Sequence, residues 1–526
     1  MTDWTDEQLA VIHSDAEKII CSAAAGSGKT AVMVERIIRL LREGEAPESF
    51  LVVTFTNAAA SEMKQKIRNS LRENREHRNL RNALEKMDYM EICTIHSFCQ
   101  NLIRQEFQAA EADPFFAVCD QARSKKLFTD AFRSACTRLQ RDGDPDYSWW
   151  KKCYSRSDTE DIVHTVYSFM MSMPDPFGWL DRSCNDIPLR TDPAHPWFKV
   201  SSEIVRSKIS AANLILRRQF DMFREPECGE AYRGVWKADQ KLFHVKQLWA
   251  EGQEVPEEEL TAGFIRLPKW TAVNRLEEDW KERYADLRKT LKTIADEIST
   301  LIRMDPETVE RDFGNMRMSL QGLRKITRLT AENYSLRKSK LRLLDFSDLE
   351  HSALKVLRSE KTGPAVRRRY TNVFVDECQD VSRVQDEIVQ RLSSGENGQA
   401  EGRLFMVGDV KQSIYRFRLA DPGLFLSRMK EYSMGKPGEK HLALQHNFRS
   451  RPEILETVNA VFRDIMLEET AEMDYGEAEE LKQGRTAEGF HPVQVDILEP
   501  DPSRSKLETA ADDVAATASI ILIRSL

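Results

Sequence analysis

At 526 residues the chain is longer than one hydrophobic core can organise, and roughly two to four domains are expected. Its formal net charge of −8 excludes a uniformly basic nucleic-acid coat, yet a local basic groove remains compatible with it, because a polyanion responds to the field at the binding face. Nine scattered cysteines, none in a C-x-x-C pair, speak against zinc or iron–sulfur clusters and fit free thiols in a reducing cytoplasm.

The start, Met1-Thr2-Asp3-Trp4, is polar and acidic, so no signal peptide is read there. No apolar run approaches the length of a membrane span, and a soluble cytoplasmic protein without membrane contact is expected. Thr5-Asp6-Glu7-Gln8, followed by Leu9, Val11 and Ile12, predicts a short capped helix. Gln8 carries an amide able to read a donor and an acceptor on an adenine edge, although a lone Gln on a helix is usually only surface.

Ile19-Ile20-Cys21 is a short apolar run suited to a buried strand. Ala23-Ala24-Ala25-Gly26-Ser27-Gly28-Lys29-Thr30 follows, and then a helical pattern through Val32, Ile37, Leu40 and Leu41. Strand, small-residue loop, Gly-Lys-Thr and helix is the context a phosphate-binding loop requires. Backbone N–H groups and the positive helix end form a cradle for anionic oxygens, and small residues let phosphates approach the backbone. Lys29 is expected to reach the β- and γ-phosphates and the Thr30 hydroxyl to ligate Mg²⁺. The first position of the G-x-x-x-x-G-K-[ST] pattern is Ala23 rather than Gly. A Gly-Ser turn capping an ordinary helix is the bland alternative, and both flanks weigh against it. The loop is read as a nucleotide site.

Phe50 to Phe55 reads as a buried parallel strand, ending in Thr56-Asn57 and a helix with Met63, Ile67 and Leu71 on one face. Polar residues at the C-terminal end of a parallel strand lie where α/β sheets bind ligands. Residues 91–99, EICTIHSFC, repeat the design with Thr94, His96 and Ser97. From about 113 to 340 the alternation stops; the segment is helical, with Trp149-Trp150, a long surface helix over 275–303 and the charge run Arg337-Lys338-Ser339-Lys340. It is read as a solvated insertion into the first α/β domain.

The α/β pattern resumes at 341–349, and Asn372 to Val375 is an apolar strand ending in Asp376-Glu377-Cys378-Gln379-Asp380. Beside a phosphate loop, Asp376 can hold a Mg²⁺ shell and Glu377 can orient and deprotonate water. Residues 403–418, RLFMVGDVKQSIYRFR, add a strand followed by Asp409, Gln412, Tyr415, Arg416, Phe417 and Arg418. Aromatic residues alternating with arginines suit stacking and phosphate clamping of single-stranded nucleic acid. A further strand, His441 to Gln445, leads to His446-Asn447-Phe448-Arg449-Ser450-Arg451; residues 492–498 alternate as a strand, and 509–526 reads as a helix cut mid-element.

Assembled in order, these motifs resemble those of superfamily 1A DNA helicases of the UvrD/Rep/PcrA type. The phrases TFTNAAASEM, TIHSFC, FVDECQD, LFMVGDVKQSIYRFRLADP and NFRSR are similar to the N-terminal part of the AddA group, the motor subunits of bacterial helicase–nucleases. The resemblance implies an α/β fold: a RecA-like P-loop motor domain over 1–112 and 341–440, a helical 1B-like insertion over 113–340, and the start of a second RecA-like domain over 441–526. It implies an ATP- and Mg²⁺-dependent motor on single-stranded or partly duplex DNA, a role in DNA repair, and an AddB-like nuclease partner.

Site roles follow residue by residue. Gln8 would read adenine and Phe448 would stack on it. Residues Ala23 through Thr30 would hold the phosphates, and Asp376 would join Thr30 at the metal. Gln412 would sense the γ-phosphate, and Arg449 would contact it from the second domain. Phe55, Thr56, Asn57, His96, Tyr415 and Phe417 would line the DNA track, with Arg416 clamping a phosphate. The family's later motor motifs and the AddA nuclease domain do not occur in 1–526. The chain is therefore expected to be an N-terminal portion of a translocase and helicase motor; the alternative is an ATP- and DNA-binding module unable to cycle because its second motor domain is incomplete.

Overall fold

The computed structural model describes residues 4–186, 196–222, 243–244, 278–302, 306–394, 402–468, 472–485 and 493. The chain forms two compact units, one of Met1–Ser124, Met171–Pro174 and Lys338–Leu526, the other of Lys125–Met170 and Asp175–Arg337.

The first unit is built on a parallel sheet of six strands: β1 (Lys18–Ala23), β2 (Phe50–Thr54), β3 (Glu91–Thr94), β6 (Asn372–Val375), β7 (Arg403–Gly408) and β8 (Glu439–Leu444), in the order β3-β2-β6-β7-β1-β8. Two short strands between them in sequence, β4 (Ala117–Val118) and β5 (Leu343–Leu344), pair with each other in a separate two-stranded sheet. Alternate side chains of the main sheet enter two separate cores. Ile20, Leu51, Val53, Val373, Val375, Leu404 and Met406 face one layer of helices. Ile19, Cys21, Phe50, Val52, Phe374, Phe405 and Val407 face the other. A parallel sheet covered on both faces needs such continuous apolar runs, which is why these strands were legible as buried. Each buried Val, Leu, Ile or Phe stabilises by roughly 1.5–3 kcal/mol.

The structure corrects one expectation about domains. The strand expected to open a second sheet over 441–445 instead runs beside β1, with Ile20 opposite His441 and Cys21 opposite Leu442, and completes the first sheet. Beyond it, β9 (His446–Asn447) pairs with β10 (Lys482–Gln483), and a helix spans Pro452–Ile465. The strand expected over 492–498 and the helix expected over 509–526 lie outside the described residues, apart from Val493.

The second unit is helical among its described residues. Phe128, Tyr167 and Tyr334 meet ring to ring, with centroids 5.1–5.7 Å apart. Helix Glu278–Ile302 is not merely a surface helix: Leu291, Ala295 and Ile298 pack against Val205, Ile209 and Leu216 of helix Pro196–Met222. Trp150 is buried, with its Nε1–H donating to Thr159 Oγ1 at 3.0 Å.

The charge run 337–340 also departs from its solvated reading. Lys338 lies in the first unit with its side chain only 2% exposed, and its Nζ is 2.6 Å from Asp345 and 2.5 Å from Asp348. Those two acids form the capping box that starts helix Phe346–Arg358. Burial, and then the charge of Asp345, push the Asp348 carboxyl up to about 6, against the pull of Lys338.

Candidate nucleotide and nucleic-acid site

The phosphate loop joins β1 to helix Lys29–Glu43 at the C-terminal edge of the sheet, where α/β folds bind ligands. Gly26 and Gly28 adopt φ of +69° and +85°, which side chains rarely tolerate. At Gly26 a Cβ would also lie 2.8 Å from Arg449 Cβ and 2.9 Å from Asn447 Nδ2, so the loop can pass only as glycine.

Three successive loop carbonyls have donors. Asn447 Nδ2 donates to Ala25 O at 2.6 Å, Phe448 N to Gly26 O at 2.9 Å, and Gln8 Nε2 to Ser27 O at 3.1 Å. A trans peptide puts each carbonyl opposite the following N–H, so the Gly26 and Gly28 N–H groups face away from these partners. The first N–H groups of helix Lys29–Glu43 join them as open donors, since the first intrahelical bond runs from Val32 N to Gly28 O. Ser27 Oγ is buried without a hydrogen-bond partner among the described residues. This is a cradle of donors without acceptors, and it fits a polyphosphate.

Lys29 Nζ donates to both carboxylate oxygens of Glu377, at 3.0 and 3.2 Å. The residue expected to hold phosphates and the residue expected to activate water are thus brought together from strands β1 and β6. Glu377 has φ of +50°, a conformation costing a non-glycine residue about 1–3 kcal/mol. It is held there by its own N–H donating to Asp376 Oδ1 at 3.0 Å and by Gln379 Nε2 donating to its carboxylate at 3.0 Å. Burial and the neighbouring Glu377 charge push the Asp376 carboxyl up to about 6, a bias that a bound divalent cation would offset. Thr30 lies beside Lys29 in the first turn of the same helix, the position a metal-ligating hydroxyl needs.

A hydrogen-bond chain leads from Glu377 toward the loop bearing Tyr415 and Phe417. Gln379 Oε1 accepts from Asp409 N at 3.0 Å, and Asp409 Oδ2 accepts from Gln412 Nε2 at 2.7 Å. Gly408 makes room for it, because a Cβ there would fall 2.4 Å from Gln379 Oε1. Gln412 is therefore linked to Glu377 through Asp409 and Gln379. Gln379 and Asp409 belong to the sequence motifs but carried no role there; nothing local marks a relay whose members come from two strands.

The expected nucleic-acid residues divide into two groups. Phe55 and Tyr415 have ring centroids 4.5 Å apart, Tyr415 and Phe417 5.8 Å, and the Arg418 guanidinium lies over both Tyr415 and Phe417. Phe417 is 76% exposed, a large apolar ring left in water. His96 stands apart from that row: its Nε2 is 3.1 Å from Glu350 Oε1, and its ring meets the exposed Phe346 at 4.8 Å. Thr56 caps helix Asn57–Glu73 by accepting from Ala59 N at 3.1 Å, and Asn57 opens that helix. Arg416 is paired with Glu472 at 2.6 Å, so a phosphate must displace a carboxylate to reach it. Arg418, expected among the alternating aromatic and arginine residues, lies over two of those rings, whereas Phe346 has no role predicted from sequence and is found through His96.

Gln8 closes the capping box of helix Asp6–His13, with Oε1 accepting from Thr5 N at 3.1 Å. Its amide is thus engaged on both ends. Phe448 and Arg449 lie directly on the phosphate loop, Arg449 with an exposed side chain.

Residues 4–433 match the family described as UvrD/REP helicase N-terminal domain. The chain is 33% identical over 527 residues to the A subunit of the ATP-dependent helicase/nuclease of Syntrophomonas wolfei subsp. wolfei, covering 97% of this chain and 42% of that protein. It is 34% identical to the protein of the same name from Acetivibrio thermocellus, over 92% of this chain and 41% of that one, and 31% identical to that from Staphylococcus aureus, over 96% and 43%. The chain thus spans less than half the length of these curated relatives. By the match over 4–433, which takes in the phosphate loop, the Asp376-Glu377 pair and the aromatic loop, the chain belongs to the UvrD/REP helicase family through its N-terminal domain.

Proposed function

We propose that this chain carries the ATP-binding and ATP-hydrolysing part of a DNA translocase and helicase of the AddA kind, acting in the repair of double-strand breaks in the cytoplasm beside an AddB-like nuclease partner. The observation that carries the reading is the convergence of Lys29 and Glu377 at 3.0 Å, at the mouth of a loop whose carbonyls are already engaged. Lys29 and the loop N–H groups would hold phosphate oxygens, and Thr30 and Asp376 would hold Mg²⁺. A Mg²⁺ ion bound there would supply charge neutralisation on the phosphates. Glu377, released from Lys29 when phosphates replace it, takes the proton of the attacking water. Gln412, two hydrogen bonds from Gln379, reports the state of the site to the loop bearing Tyr415 and Phe417. No helix among the described residues is long and apolar enough to cross a membrane, in keeping with this location.

The test is ATP hydrolysis by the chain with and without a single-stranded oligonucleotide. Acceleration by the oligonucleotide is expected; absence of both acceleration and oligonucleotide binding contradicts the proposal. A second reading, a module that binds ATP and DNA without turnover, is favoured by the Lys29–Glu377 pair itself, which neutralises the base at rest. Binding of both ligands with no single-turnover hydrolysis would select it.

For the DNA row, Phe417→Ala should weaken single-strand binding by about 1–3 kcal/mol with the salt dependence unchanged. Arg418→Ala should lower the salt slope by about one counterion if its guanidinium also meets a phosphate, and Arg416→Ala by less, because Glu472 already neutralises it. Binding isotherms over a salt series check both. Parental affinity in all three variants would remove this loop from the DNA path.

A further inference from the structure

Asn447 has no role in the reaction described above, yet it is 2% exposed and every polar atom of its side chain is used. Nδ2 donates to Ala25 O at 2.6 Å. Oδ1 accepts from Arg449 N at 2.9 Å and from Ser450 N at 2.7 Å. Its own carbonyl accepts from Gly484 N at 2.9 Å, which fixes the backbone that presents it. The next residue, Phe448, donates its N–H to Gly26 O. The strand that carries Asn447 is held from the other side by Glu7, whose Oε2 accepts from Gln445 N and lies 3.0 Å from His446 Nδ1.

We infer that Asn447 is a positioning residue for the phosphate site, setting two parts of it at once: its amide nitrogen holds the Ala25 carbonyl outward, and its oxygen fixes the turn from which Arg449 projects. The inference rests on the nucleotide reading above. Two physical points support it. A loop peptide whose carbonyl faced the cradle would set a partial negative charge against phosphate, so a donor behind the loop favours the binding orientation before ligand arrives. The tie uses both ends of a primary amide, whose nitrogen donates to Ala25 O while its oxygen accepts from Arg449 N and Ser450 N.

Asn447→Asp separates the two halves. It keeps the acceptor for Arg449 N and Ser450 N and replaces the donor to Ala25 O by an oxygen that repels it. ADP lacks the γ-phosphate that Arg449 would meet, so ADP affinity reports the cradle alone. With fluorescent ADP and ATP in the presence of Mg²⁺, Asn447→Asp is expected to weaken both nucleotides by about tenfold or more. Arg449→Ala, as a control, should weaken ATP and spare ADP. In the nucleotide-free protein, site-resolved hydrogen exchange should show the Phe448 amide losing protection in Asn447→Asp while the Arg449 and Ser450 amides keep theirs.

Parental ADP affinity together with a protected Phe448 amide would overturn the inference. So would loss of protection throughout β1 and β8 in both Asn447→Asp and Asn447→Ser, which would make Asn447 a support of the whole sheet. If the parental chain binds neither nucleotide, the functional reading fails, and the exchange comparison still decides the role of Asn447.

Discussion

Replacing Glu377 with Gln is expected to slow hydrolysis of bound ATP by roughly 10²–10⁴-fold, the usual worth of a positioned general base. The same substitution should leave nucleotide affinity intact or raise it. Lys29 Nζ is held by both oxygens of the Glu377 carboxylate, so incoming phosphates must displace a charged competitor. Gln keeps the size of Glu and can still accept one hydrogen bond, but its neutral amide releases Lys29 at less cost. Single-turnover hydrolysis and a nucleotide titration on the same preparation separate the two effects. A parental hydrolysis rate would show that Glu377 is not the base, and weakened binding would show that its pairing with Lys29 supports the site.

Lys338→Met is expected to destabilise the first unit by about 3–5 kcal/mol, the cost of leaving buried charge without its counter-ion. Lys338 is paired with Asp345 and Asp348, and its side chain is packed at 2% exposure. Without it the two carboxylates that cap helix Phe346–Arg358 repel each other. The pH dependence has a definite sign. In the parent, the Asp348 carboxyl is raised from its ordinary value to about 6, so its contribution to stability is full at acidic pH and is lost as pH rises through 6. Lys338 opposes that loss by favouring the ionised form. The deficit of Lys338→Met should therefore be large at pH 8 and shrink as pH falls below 6. Denaturant midpoints at pH 5 and pH 8 measure it; an equal deficit at both would mean that lost packing, and not charge, is responsible. Because helix Phe346–Arg358 carries Glu350, the partner of His96, the variant should also loosen the His96–Phe346 pair.

These two residues mark where sequence was informative and where it was not. Glu377 stands at the end of a strand of four buried residues, and short apolar runs bounded by polar or small residues are a local signal. The same signal located β1, β2 and β7, and with them the Gly-Lys-Thr loop. Lys338 sits in a run that looks solvated, and its burial depends on acids that arrive only after the chain turns. The strand 439–444 was recognisable as a strand, but strand propensity carries no address. Its pairing with β1, more than 400 positions earlier, is a tertiary choice, and it moved the domain boundary. Asn447 is silent in sequence for a related reason: an uncharged amide acquires meaning only from the carbonyl it faces. Gln8 was placed at the nucleotide through family resemblance, while its bond to Ser27 O is visible only in the structure.

The central claim is that the loop from Ala23 to Thr30 takes the phosphates of ATP, with Lys29 as their principal side-chain partner. Equilibrium binding of a fluorescent ATP analogue with Mg²⁺, displaced by unlabelled ATP and compared between the parental chain and Lys29→Ala, tests it most directly. Saturable, displaceable binding by the parent is expected, with a loss of about tenfold or more in Lys29→Ala as a charge-assisted contact is removed. Equal affinity in the two proteins, with both folded, would contradict it.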